Sequence, residues 1–280
     1  MFKGKKILVT GSSGLIGREM VIQLDHAGAE VHLADITEGV DLTDYRTCLW
    51  ACEGMDYVFH LMGVKGSPRM TKKSPVDFMG PMLQCDTNMI LAAQAMGVKK
   101  FMYTSSIALL NMGTDFFPAT AKHTAETLID AMRVQYPKGT KYCVVRPASV
   151  YGRGENLDRE GLMVVSDMIK KALNGEDLNL WDDGESQRDF INSQDCARAM
   201  ILTMRKMPKE WVAIGSGKAY KIKDVAKIIM NATEVNMNLG KKSGKKDIRV
   251  MKIPELKKWG FKLKINLDEG IREAIEWLRS

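Results

Sequence analysis

The sequence predicts an α/β protein, a doubly wound parallel sheet carrying a smaller C-terminal lobe, on three observations. Short apolar runs alternate with amphipathic helical stretches over the first 215 residues, the order expected of a parallel sheet covered by helices. The first run, KKILVT, passes directly into glycines at positions 11, 14 and 17. The second, EVHLAD, ends in the carboxylate of Asp35, eighteen residues beyond Gly17.

Residues 6–10 read as the first strand, and Gly11 turns the chain sharply at its end. Gly14 lets a pyrophosphate approach the main chain, and Gly17 lets a helix over 14–27 lie close to the sheet. The amides around Ser13, Gly14, Leu15, Ile16 and Gly17 then face the phosphates, as in a Rossmann-type dinucleotide site. The second strand spans 30–34. Asp35 at its end accepts hydrogen bonds from the adenosine ribose and repels a 2'-phosphate, and ADITEGVD offers no Arg, so NAD is favoured over NADP. Asp41 and Leu42, before a helix over 43–52, border the adenine.

The third strand, 57–61, runs into HLMG, where Leu61, Met62 and Gly63 stand at a carboxyl end. A helix over 82–96, a strand over 100–105 containing Thr104 and Ser105, and a helix over 119–135 follow. A strand over 141–146 leading to Pro147, a helix over 194–206 and a strand over 211–214 complete a series of right-handed crossovers. Ligands of such sheets lie beyond the carboxyl ends of the strands, so GSSG, HLMG, TSSI and RPASVYG border one crevice. Residues 1–151 with 188–215 form the NAD-binding domain by this reading. Residues 152–187 with 216–280 fit the sheet poorly and form the smaller, substrate-binding lobe.

Composition is compatible with this and excludes other classes. A chain of 280 residues, 45% hydrophobic and 27% charged, buries one large core or two unequal lobes. The chain enters a strand at once and has no long apolar segment, so neither a signal peptide nor a membrane span is expected and the location reads as cytoplasmic. Cysteines at 48, 52, 85, 143 and 196 are odd in number and mostly within apolar patterns, which reads as reduced core thiols. Cys48 and Cys52 share a helix face with no neighbouring His or Cys, so no metal site is expected. The net charge of +7 is spread thinly outside GKKSGKK, residues 240–246, where no aromatic residue is interleaved. That disfavours nucleic acid and suits attraction of an anionic small molecule such as a diphosphate.

Beyond TGSSGLIG, the segments HLMG, GVKKFMYTSS, RPASVYG, RDFINSQDCARA, IGSGKAYKIKDVA and KKWGFKLKINLDEGIREAIEWL cover most of the chain. Together they resemble an extended short-chain dehydrogenase/reductase of the NAD-dependent epimerase/dehydratase family, which acts mainly on nucleotide sugars. The resemblance implies that Arg188 holds a substrate diphosphate, a task suited to its planar fork, the alternative being an ion pair with Asp189 or Asp195. It also implies hydride transfer between a sugar carbon and NAD, with a Tyr as base four residues before a Lys and a Ser or Thr sharing the hydroxyl. Lys122 matches the Lys, and Ser106, with Ser105 beside it, matches the hydroxyl position. The helices near 82–96 and 119–135 resemble the pair through which family members often form homodimers.

Three departures cluster at one place. The Tyr position holds Pro118, which cannot act as a base. The connection from Ser106 to Lys122 is short, and the helix position where the family carries an Asn falls on Met82. One reading is a changed enzyme in which Tyr151, His123, Asp115 or Lys122 takes the proton. The other is a catalytically silent NAD-binding or regulatory protein. Ile107 and Ala108 stand where family dehydratases carry an Asp-Glu pair, so epimerisation or carbonyl/alcohol redox is favoured over dehydration.

Overall fold

A computed structural model describes all residues except 65, 112–116, 159, 181 and 242–246; Asp115 and most of the GKKSGKK run lie outside the described residues. The first half alternates as read from the sequence: β1 (Lys6–Thr10), α1 (Leu15–His26), β2 (Glu30–Ala34), α2 (Tyr45–Cys52) and β3 (Tyr57–His60). Then come α3 (Pro68–Lys73), α4 (Pro75–Ala95), β4 (Lys100–Thr104), α5 (Ala108–Asn111), α6 (Phe117–Gln135), β5 (Lys141–Pro147) and β6 (Ser149–Tyr151). The remainder holds α7 (Val164–Leu173), β7 (Leu178–Asn179), β8 (Gln187–Arg188), β9 (Phe190–Asn192), α8 (Ser193–Lys206), β10 (Val212–Ile214) and β11 (Tyr220–Lys221). It closes with α9 (Ile222–Thr233), β12 (Met237–Asn238), β13 (Ile248–Arg249), α10 (Pro254–Lys258) and α11 (Leu267–Arg279).

Six strands form one parallel sheet in the order β10-β5-β4-β3-β1-β2. Strands buried on both faces need continuous apolar sequence, and β3, YVFH, is buried at all four positions. Strand order reverses between β1 and β3, and sheets of this kind bind their ligands beyond the carboxyl ends at such a reversal. One face carries α1 and α8 over a core that includes Ile7, Val9, Met20, Leu24, Met200 and Met204. The other carries α2, α4 and α6 over Leu8, Val58, Phe101, Tyr103, Met89 and Ile129. A third core, around Val165, Ile169, Phe190, Val225, Ile229 and Ile271, packs α7, α9 and α11 together.

Three features differ from the sequence reading. Helix α4 begins at Pro75, two turns before residue 82, and runs through Pro81. Proline removes one intrahelical hydrogen bond, and packing of the long helix against α6 and α2 outweighs that loss. Helix α6 starts at Phe117, so Pro118 lies in its first turn, where the missing N–H costs nothing. Residues 251–263 do not join the small lobe: Met251, Ile253 and Leu256 pack into the α1/α8 core, with Trp259, Phe261 and Leu263 against it.

Candidate active site

The loop after β1 is built by steric necessity. Gly11 has φ +64°, and a Cβ there would stand 3.1 Å from the Leu61 carbonyl carbon and the Met62 nitrogen, so the ends of β1 and β3 meet at backbone distance. A Cβ on Gly17 would lie 2.1 Å from the Gly11 oxygen. Only glycine lets α1 start this close to the strand. Helix α1 has Gly14 at its N-cap and no side-chain cap, which leaves its first-turn amides, at Leu15, Ile16 and Gly17, for an anion. Ser13 is held from two sides: its N–H donates to Asp35 Oδ2 at 3.1 Å and its carbonyl accepts from Arg18 Nε at 2.8 Å.

Asp35 ends β2 and is buried. Its Oδ1 accepts from Thr37 N–H at 3.1 Å and from the Thr37 hydroxyl at 3.0 Å. Burial raises its carboxyl, but the bonds from Ser13 and Thr37 outweigh it and hold it below the ordinary value. A carboxylate accepts about four hydrogen bonds, so capacity remains on Oδ2 for a ribose hydroxyl. These residues fit a dinucleotide: a glycine cradle, free helix amides and an ionised acceptor at the end of the neighbouring strand. Asp41 is exposed and capped locally by Thr43, with N–H at 2.9 Å and hydroxyl at 2.7 Å, while Leu42 is buried in the α2/α4 core.

Leu61 and Met62 follow β3 half-buried, and Gly63 is exposed with open space at its Cβ position. Lys122 on α6 reaches this strand end: its ammonium donates to Met62 O at 3.2 Å and pairs with Asp86 Oδ2 at 3.4 Å. At the end of the next strand, β4, the hydroxyls of Thr104 and Ser105 are buried without a hydrogen-bond partner among the described residues. Ser105 N–H donates to Val145 O at 2.8 Å, and Ile107 N–H to the oxygen of buried Pro147 at 3.2 Å, which ties the ends of β4 and β5 together. The Ser106 hydroxyl is half-buried and accepts from Ala108 N–H at 3.1 Å. Buried polar groups without partners are rare enough in folded proteins to call for an explanation, and a site for a bound group is one.

Other residues from the sequence reading stand elsewhere. Tyr151 is turned into the small-lobe core, where its hydroxyl donates to Asn266 O at 3.3 Å and burial pushes its ionisation upward. That placement corrects its assignment as a proton acceptor. His123 is exposed, about 100° around α6 from Lys122. Met82 is buried on α4. Arg188 pairs with neither Asp189 nor Asp195: its guanidinium bonds Asp247 Oδ2 at 2.8 Å and Asp247 O at 2.7 Å, and Arg249 shares the same carboxylate at 2.6 Å. Two guanidinium groups on one carboxylate leave positive charge for an anion. Asp86 was not foreseen. Its signal was a carboxylate at an inward position of α4, between buried Cys85 and Met89.

A model of the NAD-dependent epimerase/dehydratase family matches residues 7–215. The chain belongs to that family. It is therefore placed among NAD-dependent enzymes, and its six-stranded sheet is the Rossmann-like one expected of a member. This family member is similar to a putative GDP-L-fucose synthase 2 of Arabidopsis thaliana, 26% identical over 98% of the present chain and 92% of the relative. It is also similar to a dTDP-4-dehydro-6-deoxy-D-allose reductase of Streptomyces, 25% identical over 81% of each chain. In fold it resembles the UDP-glucose 4-epimerase of Thermus thermophilus solved with NAD, with a TM-score of 0.84 and 22% identity over 98% and 99% of the two chains.

Proposed function

We propose that this family member is an epimerase or oxidoreductase that uses NAD on a nucleotide-diphosphate sugar, with a site that has lost the family tyrosine. The observation that supports it most is the position of Lys122. Its ammonium lies at the end of β3, between the glycine loop of β1 and the unpartnered hydroxyls at the end of β4. When bound, NAD supplies a hydride acceptor or, once reduced, a donor. The chain does the rest. The uncapped start of α1 holds the pyrophosphate, Asp35 holds the adenosine ribose and disfavours a 2'-phosphate, and Lys122 holds the second ribose. Ser105 and Ser106 orient the reacting hydroxyl or carbonyl, and Arg188 takes the substrate diphosphate. The relatives and the structural neighbour named above are enzymes of GDP-, dTDP- and UDP-linked sugars by name, which supports the substrate class and leaves the base open. Ile107 packs against the α1/α8 core and Ala108 begins α5, so neither offers an acid for elimination.

Three described side chains are unsuited to stand in for the tyrosine as proton acceptor, which leaves Lys122, with Asp115 outside the described residues. Tyr151 is turned away, His123 is on the outer surface, and Tyr103 is fully buried with its hydroxyl on Asp86. A positioned acid or base contributes about 10²–10⁴ in rate, so slow turnover follows. The same observation favours the second reading, a silent NAD-binding or regulatory protein. We also assign a cytoplasmic site of action, which five buried thiols suit, and a homodimer through α4 and α6, which exposed Val76, Leu91, Phe117 and Val134 on that pair support. The test is incubation with NAD and a panel of UDP-, dTDP-, GDP- and CDP-sugars, followed by NMR. Conversion of one member establishes the enzyme; NAD binding without conversion across the panel favours the silent reading.

A further inference from the structure

Asp86 lies beneath the crevice with 0% of its surface exposed. Its Oδ1 accepts from His60 Nε2 at 2.9 Å; its Oδ2 accepts from the Tyr103 hydroxyl at 2.5 Å and from Lys122 Nζ at 3.4 Å. An ionised carboxylate can only accept, which places the His60 proton on Nε2 and makes Nδ1 the acceptor of the Thr10 hydroxyl at 2.7 Å. Thr10 Oγ1 accepts in turn from Leu61 N–H at 3.2 Å. The chain of bonds runs from the end of β1 through β3 to α4 with every orientation fixed. Burial raises the Asp86 carboxyl, but Lys122, His60 and Tyr103 outweigh it and hold it below the usual range.

Lys122 is only 6% exposed and stands 4.8 Å from the centre of the Tyr103 ring. Two of its three N–H groups are directed at Asp86 and Met62 O, which leaves one for a ligand. A long side chain loses several rotamers to be held so, and an ammionium withdrawn from water needs a counter-charge; Asp86 supplies both the anchor and the charge. We propose that Asp86 is a positioning residue for the cofactor, fixing the Lys122 ammonium so that its remaining N–H meets the ribose next to the nicotinamide. The proposal rests on the assignment of Lys122 to NAD made above.

The test compares wild type, Asp86→Asn, Lys122→Met and the double variant by titration calorimetry with NAD and, separately, with ADP, which reports the adenine half alone. Asn is isosteric: its Oδ1 still accepts from His60, its NH2 donates to the Tyr103 oxygen in a reversed bond, and it offers Lys122 neither charge nor acceptor. We expect Asp86→Asn and Lys122→Met each to weaken NAD about tenfold, the double variant to be no weaker than Lys122→Met, and ADP affinity to hold throughout. A structural role alone would lower thermal stability and leave NAD and ADP affinities in their wild-type ratio, and that result overturns the proposal, as do losses that multiply in the double variant. If Asp86→Asn does not fold, Asp86→Ala, which removes the charge and the anchor together, is read in the same way. A wild-type protein that binds ADP but gains nothing from the nicotinamide half overturns this proposal and leaves the adenine site standing; one that binds neither overturns the NAD reading as well.

Discussion

Asp189 accepts two hydrogen bonds from Ser216, one from its backbone N–H at 2.8 Å and one from its hydroxyl at 2.6 Å. The other carboxylate oxygen accepts from Gly217 N–H at 3.0 Å and Met251 N–H at 3.2 Å. One buried side chain next to Arg188 thus pins the loop after β10 and the segment entering α10. Asp189→Ala leaves three amides and a hydroxyl buried without an acceptor, and we expect a loss of about 3 kcal/mol or more in urea unfolding. A loss under about 1 kcal/mol would show that the two segments are held by the apolar contacts of Met251 and Ile253 instead.

Gly17→Ala tests the cradle. The new methyl would meet the Gly11 oxygen at 2.1 Å and Ser12 Cα at 2.8 Å, both backbone atoms that cannot turn aside. The loop must shift, and with it the amides meant for the pyrophosphate. We expect NAD affinity to fall by about 100-fold or more, against a smaller loss for Gly14→Ala, where the nearest atom is Gly11 O at 3.2 Å. Wild-type affinity in both variants would remove the loop from the cofactor site.

How far the sequence was readable follows from the range of the interactions involved. Strand 6–10 coincides with β1 because a strand covered on both faces must be apolar along its length; 30–34 coincides with β2, half-exposed at the sheet edge, because Gly28 and Asp35 bracket its short run. The start of α4 was missed because Pro81 reads as a stop, and only contacts with α2 and α6, distant in sequence, override it. The small lobe was not resolved because its two-residue strands carry no periodicity: β8 pairs with β13 across about sixty residues. At the site, the glycines and Asp35 were legible because local geometry demands them. Asp86 was not, since its partners His60, Tyr103 and Lys122 come from three other elements. Nor was the direction of Tyr151, which is decided by Asn266 at the start of α11.

The five cysteines are all buried. Burial pushes the thiols of Cys48, Cys52, Cys85 and Cys143 up to about 12. Near pH 8 the thiolate fraction of each is then on the order of 10⁻⁴. We expect a disulfide reagent such as Ellman's to titrate almost no thiol in the native protein and five in denaturant. Fast native labelling of any one of these four would show that its element, α2, α4 or, for Cys143, β5, opens locally.

Asp35 sets a pH limit. Its carboxyl is held below its ordinary value of 3.8 in the folded protein, so the stability it contributes is complete above that value and is lost as pH falls through the folded one. The stability difference between wild type and Asp35→Asn should be full near about pH 6 and shrink as pH falls below the ordinary carboxyl value and through the lower folded one. NAD affinity should follow the same limb, since the ribose needs the ionised acceptor. A gap that persists unchanged in acid would mean that Asp35 acts through packing alone.

Pro118→Tyr asks whether the rest of the crevice is still competent. Pro118 precedes Lys122 by one turn of α6, on the same face, and is half-buried. A phenol there would face the Lys122 ammonium, and a neighbouring positive charge favours the phenolate over its free value near about 10. If Lys122, Ser105 and Arg188 hold cofactor and substrate as assigned, the variant needs nothing else to accept a proton. We then expect turnover of a nucleotide sugar to rise by about 100-fold, with a rate that climbs with pH as the phenol ionises. NADH absorbance in single turnovers separates hydride transfer from product release. If the variant folds, binds NAD as tightly as wild type and still transfers no hydride, the substrate side has closed along with the tyrosine, and the silent reading stands.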